Sequence, residues 1–540
     1  MHSDSESPDR AGRLPVLAGW AATFLGVAAV VALAWRYWGT RLQDDAYISF
    51  VYARHFALGH GLVYNVGEAP VEGYSNFLWT LGAGLAMRAG VEDPANVAQA
   101  VGVAAAALVV VLTFFLARRL AAGPLLAGLA ALFVGLERTL TEEALGGLET
   151  TTFVALVVGA ILLYLRTPRT AVAGLGGSAL LGLATLTRPE APLYFALLEL
   201  RELVAARRRG QSIAAWLGDA VPRWTPFLAL VLGHLAWRLA FYGELLPNTY
   251  HAKMTHSPLA WRTGADYVLQ GLAFSGLFLV LLPFWQWKRL NASGAFLAVA
   301  ALVVSLYVLQ VGGDFKLSFR YLLVPIVLWG ALGAAALAAL ARALHAAEPR
   351  LARAFAPLLF VVLSAFHVTN EWLYKVGNEA MAERHEHLVG AGKLLNEVLP
   401  AEATIAVSNA GRIPFFAQRR VIDMLGLNDH HIARVEVRAT AADALVGHER
   451  GDGDYVLGRR PDAILFVSNC ITPMQLANVP QWKGYVEQTA FGTSEKEIVD
   501  DPRFTRDYRI ASRALPGIER TLPDGSRAPV FLNWFERTAR

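Results

Sequence analysis

Apolar runs of about 18 to 24 residues, the length at which a helix crosses a ~30 Å hydrocarbon core, recur along this chain up to about residue 370 and then stop. A chain built this way must satisfy its backbone inside lipid, which predicts a bundle of membrane helices followed by a water-soluble part. The runs lie near 15–38, 97–117, 122–137, 151–165, 171–187, 190–204, 224–241, 268–286, 294–311, 321–341 and 354–370, about eleven spans by periodicity. Composition agrees, since 55% of the 540 residues are hydrophobic and only 17% are charged. A mean hydropathy of +0.39 is beyond what a soluble protein of this length carries.

The expected fold class is therefore mainly α, a polytopic membrane helical bundle with a C-terminal α/β domain. The predicted divisions are a cytoplasmic tail over 1–14, a membrane domain over 15–373 whose long first outer loop covers 39–96, and an extracytoplasmic domain over 374–540. The first run, from Pro15 to Trp38, ends in Trp35, Tyr37 and Trp38 and lacks a small-residue cleavage site, so it reads as an uncleaved anchor. Asn76 to Met87 is apolar but too short to span, and reads as a helix lying along the interface. In the soluble part, Arg384 to Val398 has helical spacing, while Thr404–Val407, Val421–Met424 and Ala463–Ser468 read as strands. No period of 20 to 50 residues suggests a repeat architecture.

Basic residues set the expected orientation. Arg118-Arg119, Arg207-Arg208-Arg209, Lys288-Arg289, Arg342, Arg350 and Arg353 all fall in alternate loops, which the positive-inside rule places in the cytoplasm together with the N-terminus. An odd number of spans then puts the C-terminal domain outside, with the chain as a multi-pass protein of the bacterial inner membrane. The net charge of +4 and pI of 9.1 follow from these loop arginines, so no nucleic-acid partner is implied. The single cysteine, Cys470, excludes an internal disulfide and a cysteine-based metal site.

The acidic residues gather on the opposite face: Asp44, Asp45, Glu68, Glu72, Glu142, Glu143, Glu149, Glu190, Glu244 and Asp314. Asp44 and Asp45 stand out, because carboxylates where a membrane helix leaves lipid are costly to place and can deprotonate a hydroxyl. Ile48, Val51 and Tyr52, with Arg54 off their face, predict an amphipathic helix starting at the pair, whose positive N-terminal end would receive them. A helix cap would need one aspartate, not two. Repulsion and partial burial can raise one carboxyl toward the range of a base while its neighbour stays ionised to orient a sugar hydroxyl or hold a divalent cation.

Anion partners at this face would come from Arg188, Lys253, Lys316 and Arg320, with Arg320 leading because it opens a span after Asp314 and Lys316. The alternative for each is a cation snorkelling at a helix end, and for Arg188 a local pair with Glu190. The strip Leu246-Pro-Asn-Thr-Tyr-His-Ala-Lys253 supplies Asn248, Tyr250, His251 and Lys253 for hydroxyl and anionic groups of a ligand. Glu149, after two glycines, and Asp314 complete the candidate contacts to ligand hydroxyls. His55 with His60, and His430-His431, match no zinc spacing.

The runs Asp44-Asp-Ala-Tyr-Ile-Ser-Phe50, Gly59-His-Gly-Leu-Val-Tyr-Asn65 and Glu72-Gly-Tyr-Ser-Asn-Phe-Leu-Trp79 resemble the first extracytoplasmic loop of the GT-C glycosyltransferases. Among these the chain is most similar to the polyprenyl-phosphate-dependent terminal arabinofuranosyltransferases of mycobacterial type. The resemblance continues through Gly146-Gly-Leu-Glu-Thr150, Leu186-Thr-Arg-Pro-Glu190, Leu246–Lys253, Gly312-Gly-Asp-Phe315 with Arg320, Ile422-Asp-Met-Leu-Gly-Leu-Asn-Asp429 and His448–Asp462, and so spans most of the chain. It implies transfer of a sugar, arabinofuranose in the nearest relatives, from a polyprenyl-phosphate donor to a cell-envelope glycan. It also implies that an aspartate of the first outer loop, Asp44 or Asp45, is the catalytic residue. Independently of any family, a phosphate leaves as a stable anion and needs no general acid, so one carboxylate base suffices and inversion is expected.

Two rival classes remain at this stage. A transporter or flippase of envelope precursors would also be polytopic, but places ionisable groups near the midplane, often in matched halves. A non-enzymatic scaffold would anchor a polymer-binding domain and leave Asp44-Asp45 unexplained.

Overall fold

The computed structural model describes residues 8–166, 170–254, 258–274, 277–314, 318–345, 354–365, 369, 380–438, 448–521 and 526–538. The fold is mainly helical. In chain order the helices that matter here are α1 (Pro8–Tyr37), α2 (Asp44–Ala57), α3 (Phe77–Arg88), α4 (Ala95–Arg119), α5 (Pro124–Leu136) and α6 (Arg138–Leu145). They continue as α7 (Thr150–Tyr164), α8 (Ala171–Thr187), α9 (Ala191–Arg208), α10 (Ile213–Tyr242), α11 (Asn248–Lys253), α12 (Pro258–Phe274) and α13 (Leu277–Trp285). After α14 (Ala292–Gln310) and α15 (Leu323–His345), the soluble part contributes α16 (Ala380–Val398) and α17 (Arg412–Ala417).

The chain divides into two compact units. The first comprises 1–38, 98–234 and 261–377, and the second 39–97, 235–260 and 378–540. In the first unit α15 is the axis. Its Leu, Ala and Gly residues are apolar all round, and every residue from Leu323 to Ala339 is buried, as expected of a helix enclosed by others. α1 and α5 meet through glycines seven residues apart on each helix. A Cβ on Gly128 would lie 2.1 Å from the Gly19 carbonyl oxygen, and one on Gly135 2.5 Å from that of Gly26. Small residues at this spacing let two membrane helices approach backbone to backbone.

Among the described residues, five helices are long and apolar enough to cross a membrane: 13–37, 95–119, 213–242, 292–310 and 320–345. A sixth forms if α5 and α6, bent by 51° at their junction, are one broken span. Thr150–Tyr164, Ala171–Thr187 and Ala354–Ala365 are apolar but shorter, so length and hydropathy do not yield the eleven spans expected. The run expected over 268–286 is helical in α12 and α13 on either side of residues 275–276, which, like most of the end of the run at 354–370, lie outside the described residues.

The second unit is built on a six-stranded mixed sheet of β1 (Thr404–Val407), β2 (Arg420–Asp423), β3 (Ala463–Leu465), β4 (Ile471–Thr472), β5 (Tyr508–Thr521) and β6 (Arg527–Arg537). The order is β2-β1-β3-β6-β4, with β5 paired to β6; β1 runs parallel to β2 and β3, and β6 antiparallel to β3, β4 and β5. Ala406, Ile422, Ile464, Phe466, Phe504 and Phe535 form its core.

The first outer loop, read from the sequence as part of the membrane domain, packs instead within this second unit. The reason is a set of polar pins. The Asn65 amide both donates to the Val421 carbonyl (2.8 Å) and accepts from the Val421 N–H (2.9 Å), as an added strand residue would. Tyr64 donates to the Ala410 carbonyl, and Tyr52 to the Asn428 side chain. α2 accordingly is not amphipathic in use: Ala46 through Ala53 are buried on all sides.

Candidate functional site

In the first unit a cavity, partly open to its surroundings, is lined by Arg188, Glu190, Arg320, Tyr321, Tyr194 and Tyr307, with Phe153 and five valines making the rest of its wall. Local structure delivers the cations. Arg188 is the extended residue that ends α8 ahead of Pro189, and Arg320 opens a short 3-10 turn after Phe319, whose φ of 51° lies in the left-handed region. A bulky residue held there is strained, as is common where a backbone turn serves a site.

Each arginine has carboxylate partners. Arg188 donates to both oxygens of Glu190 (3.3 and 3.1 Å) and to Glu149 (3.4 Å), and Arg320 lies 2.5 Å from Asp314. Both guanidiniums also lie over the Tyr321 ring, at 4.9 and 5.3 Å from its centroid. Of the four cations expected to meet phosphate, the structure brings Arg188 and Arg320 to one cavity, places Lys253 on α11 in the second unit, and Lys316 lies outside the described residues. Glu149 and Asp314, read from the sequence as sugar contacts, stand behind the arginines as their counter-ions.

In the second unit Asp44 and Asp45 form the first turn of α2, after Gln43, whose side chain makes no capping bond. Asp44 does not cap its own helix. It accepts from the backbone N–H groups of Gly411 (3.1 Å) and Arg412 (3.0 Å), and its Oδ1 lies 3.5 Å from the Arg412 guanidinium. The close approach demands glycine: a Cβ on Gly411 would lie 2.0 Å from the Asp44 carbonyl oxygen. Arg412 is buried over the Tyr47 ring and donates to the Leu42 carbonyl. Burial lowers its pKa below the usual arginine value, and the Asp44 charge works against that shift. Asp45, beside it, is half-buried.

The polar strip of α11 has two kinds of residue. Asn248 is buried, donates to the carbonyls of Gly426, Leu427 and Asp429, and accepts from Arg434 (2.7 Å), so its amide is fully engaged in holding the chain. Tyr250 is exposed, and half-buried His251 has its pKa lowered by desolvation and by Arg434. His55 is half-buried, its pKa pushed down to about 4 by desolvation, and bonds to the Val63 carbonyl. His431 bonds Asp452 at 2.7 Å. Among the described residues no group of three or more His, Cys, Asp or Glu is arranged to hold a metal ion. At the acid pair itself, both Asp44 oxygens accept from backbone N–H groups.

Sequence reasoning missed Arg412, Tyr321, Tyr194 and Tyr307. Tyr321 could have been found, because it adjoins Arg320 at the start of a span. Arg412 carries no local signal, since only the fold brings it to Asp44.

Comparison with known proteins gives the fold a class. ArnT from Cupriavidus metallidurans, crystallised with undecaprenyl phosphate, superposes with a TM-score of 0.51 at 14% identity over 75% of this chain and 86% of its own. The archaeal oligosaccharyltransferase AglB from Archaeoglobus fulgidus, solved with an inhibitory peptide and a dolichol-phosphate, gives 0.51 at 12% identity over 95% of this chain and 74% of its own. The chain thus has the fold of the GT-C membrane glycosyltransferases. A terminal β-(1→2)-arabinofuranosyltransferase of Corynebacterium glutamicum is 31% identical over 173 residues, 27% of this chain, and the match spans about a quarter (23%) of that relative's length. Residues 378–513 match a family model described only as a domain of unknown function, DUF8728.

Proposed function

We propose that this protein transfers a sugar from a polyprenyl-phosphate donor to a hydroxyl of a cell-envelope glycan, at the outer face of the inner membrane, through an aspartate general base. The observation that carries the reading is the cavity where Arg188 and Arg320 meet beside a valine wall: two cations for a phosphodiester, and apolar surface for the isoprenoid next to it. The lipid phosphates bound to ArnT and AglB support a donor of this class, and the Corynebacterium relative supports arabinofuranose as the sugar.

In this reading Arg188 and Arg320 hold the donor phosphate, with Glu149 and Asp314 fixing their positions. Asp44 is held by the N–H groups of Gly411 and Arg412, and this reading assigns the base to its neighbour Asp45. The acceptor hydroxyl gives its proton to Asp45 as its oxygen attacks the anomeric carbon; the carbon–oxygen bond to phosphate breaks and polyprenyl phosphate departs, with inversion. Tyr250 and His251 are available to acceptor hydroxyls, while Asn248 serves the fold.

The test is reconstitution of the full chain in liposomes with a panel of polyprenyl-phosphoryl sugars and envelope-glycan fragments, followed by mass spectrometry of lipid and glycan. One donor should be consumed with release of polyprenyl phosphate, and Asp45→Asn should abolish consumption. Movement of intact lipid across the bilayer without sugar transfer would replace this reading with the flippase alternative. An EDTA arm decides whether a divalent cation takes part.

A further inference from the structure

Two arginines, each with carboxylate partners of its own, line one cavity. Glu190 and Glu149 serve Arg188, and Asp314 serves Arg320. The two guanidiniums repel each other. The ring of Tyr321 is a contact they share, with both guanidinium carbons within 5.3 Å of its centroid and the ring lining the same cavity. An aromatic face carries negative charge density, and two partly desolvated guanidiniums beside it are both attracted.

The position of that ring is fixed by backbone and not by its hydroxyl. The left-handed conformation at Phe319 starts the 3-10 turn Arg320–Leu322, and the Tyr321 N–H donates to the Tyr267 hydroxyl at 3.3 Å. Tyr267 belongs to α12 and packs its own ring on Phe319 (5.3 Å between centroids), so the turn is held from a neighbouring helix. Arg188 has a second aromatic neighbour, Phe153, at 5.7 Å, which α7 provides.

We propose that Tyr321 is the positioning residue of the donor site: its ring gathers Arg188 and Arg320 at one cavity so that a single lipid-linked phosphate meets both. The inference rests on the donor-site reading above and adds to it the element that turns two ion pairs into one receptor. The ring face performs the task, so phenylalanine can replace tyrosine and an aliphatic side chain cannot.

Undecaprenyl phosphate binding to the full-length protein in lipid nanodiscs tests this, alongside donor kinetics. Tyr321→Leu should weaken binding about tenfold, in line with the loss of two cation–π contacts, and raise the donor KM with kcat little changed. Tyr321→Phe should stay within about threefold of the parent. Tyr321→Met keeps bulk without a ring and carries the comparison if the leucine variant does not fold. Parent-like affinity in Tyr321→Leu or Tyr321→Met overturns the inference, as does a loss in Tyr321→Phe equal to that in Tyr321→Leu, which would make the hydroxyl the working group. If the parent protein binds and Arg320→Gln loses binding while the Tyr321 variants do not, the donor site stands without this device. If the parent protein does not bind the lipid phosphate, both readings fall together.

Discussion

The Asp44 carboxylate accepts a hydrogen bond from the backbone N–H of Arg412 at 3.0 Å and faces that residue's guanidinium at 3.5 Å, across 368 positions of sequence. One of two adjacent acids is thereby committed to structure, and the division of labour between them becomes measurable. Asp45→Asn should cut turnover by about 10²–10⁴-fold, the range for loss of a general base. Asp44→Asn places an amide N–H against backbone donors and should cost about 1–3 kcal/mol of stability. Parallel thermal unfolding and sugar-transfer assays on the two variants separate these effects; equal loss of turnover at equal stability would defeat the assignment.

Gly411 tests the same junction without touching a charge. Its added Cβ would meet the backbone of α2, which has no side-chain freedom to yield. Gly411→Ala should therefore cost about 3 kcal/mol, the upper part of the range for overpacking. Gly458, around which a Cβ would meet nothing, is the control: alanine there should leave the melting temperature within a degree or two.

Glu190 is expected to compete with the donor. It occupies two of the Arg188 donors in the cavity, and as a like charge about 5 Å from an incoming phosphate it contributes at most about 3 kcal/mol of repulsion at an effective dielectric near 20. Glu190→Gln should tighten undecaprenyl phosphate binding about tenfold in nanodiscs. Weaker binding in this variant would mean that Glu190 orients Arg188 instead of contesting it.

The second unit carries two buried acids whose titration predicts how stability depends on pH. Burial raises Glu495 to about 7, against bonds from Ser408, Phe491 and Val467 that favour its charged form, and raises Asp423 to about 6. Below about pH 4 both are protonated in the folded and unfolded chain. As pH rises, the unfolded chain releases these protons first, so the folded state loses stability until pH passes the raised values. Unfolding of the full-length protein should therefore become easier between about pH 4 and 7. Glu495→Gln should flatten that slope above pH 5; an unaltered slope in the variant would exclude Glu495 as its source.

Much of this was legible in the residues. The run Thr404–Val407 is a strand with the predicted bounds, β2 and β3 fall on the other β-branched runs, and the helix expected from Arg384 lies inside α16. α2 begins at the two aspartates as the spacing implied. The β5–β6 pair was not seen, because Pro516-Gly517 interrupts its alternation where the register shifts between Ala514 and Glu519. Apolarity also understated burial: α2 is enclosed from Ala46 to Ala53 although its sequence is only partly apolar. In the candidate site, charge and position singled out Arg188 and Arg320, which line one cavity, while the role of the acid pair belongs to the proposal. Partners remote in sequence, such as Arg412 for Asp44 and Arg434 for Asn248, were invisible, since long-range pairing leaves no local period to read.

The second unit is assembled from three stretches of chain, and this sets a schedule for its making. At ribosomal speeds of about 5–20 residues per second, the helix bearing the two acids emerges roughly 20 to 70 seconds before the segment that clasps it. During that interval its aromatic side chains have no final neighbours. A nascent chain arrested shortly before residue 411 should expose α2 to protease, and one extended beyond β6 should hide it, which makes the birth of the acid pair an event that can be timed.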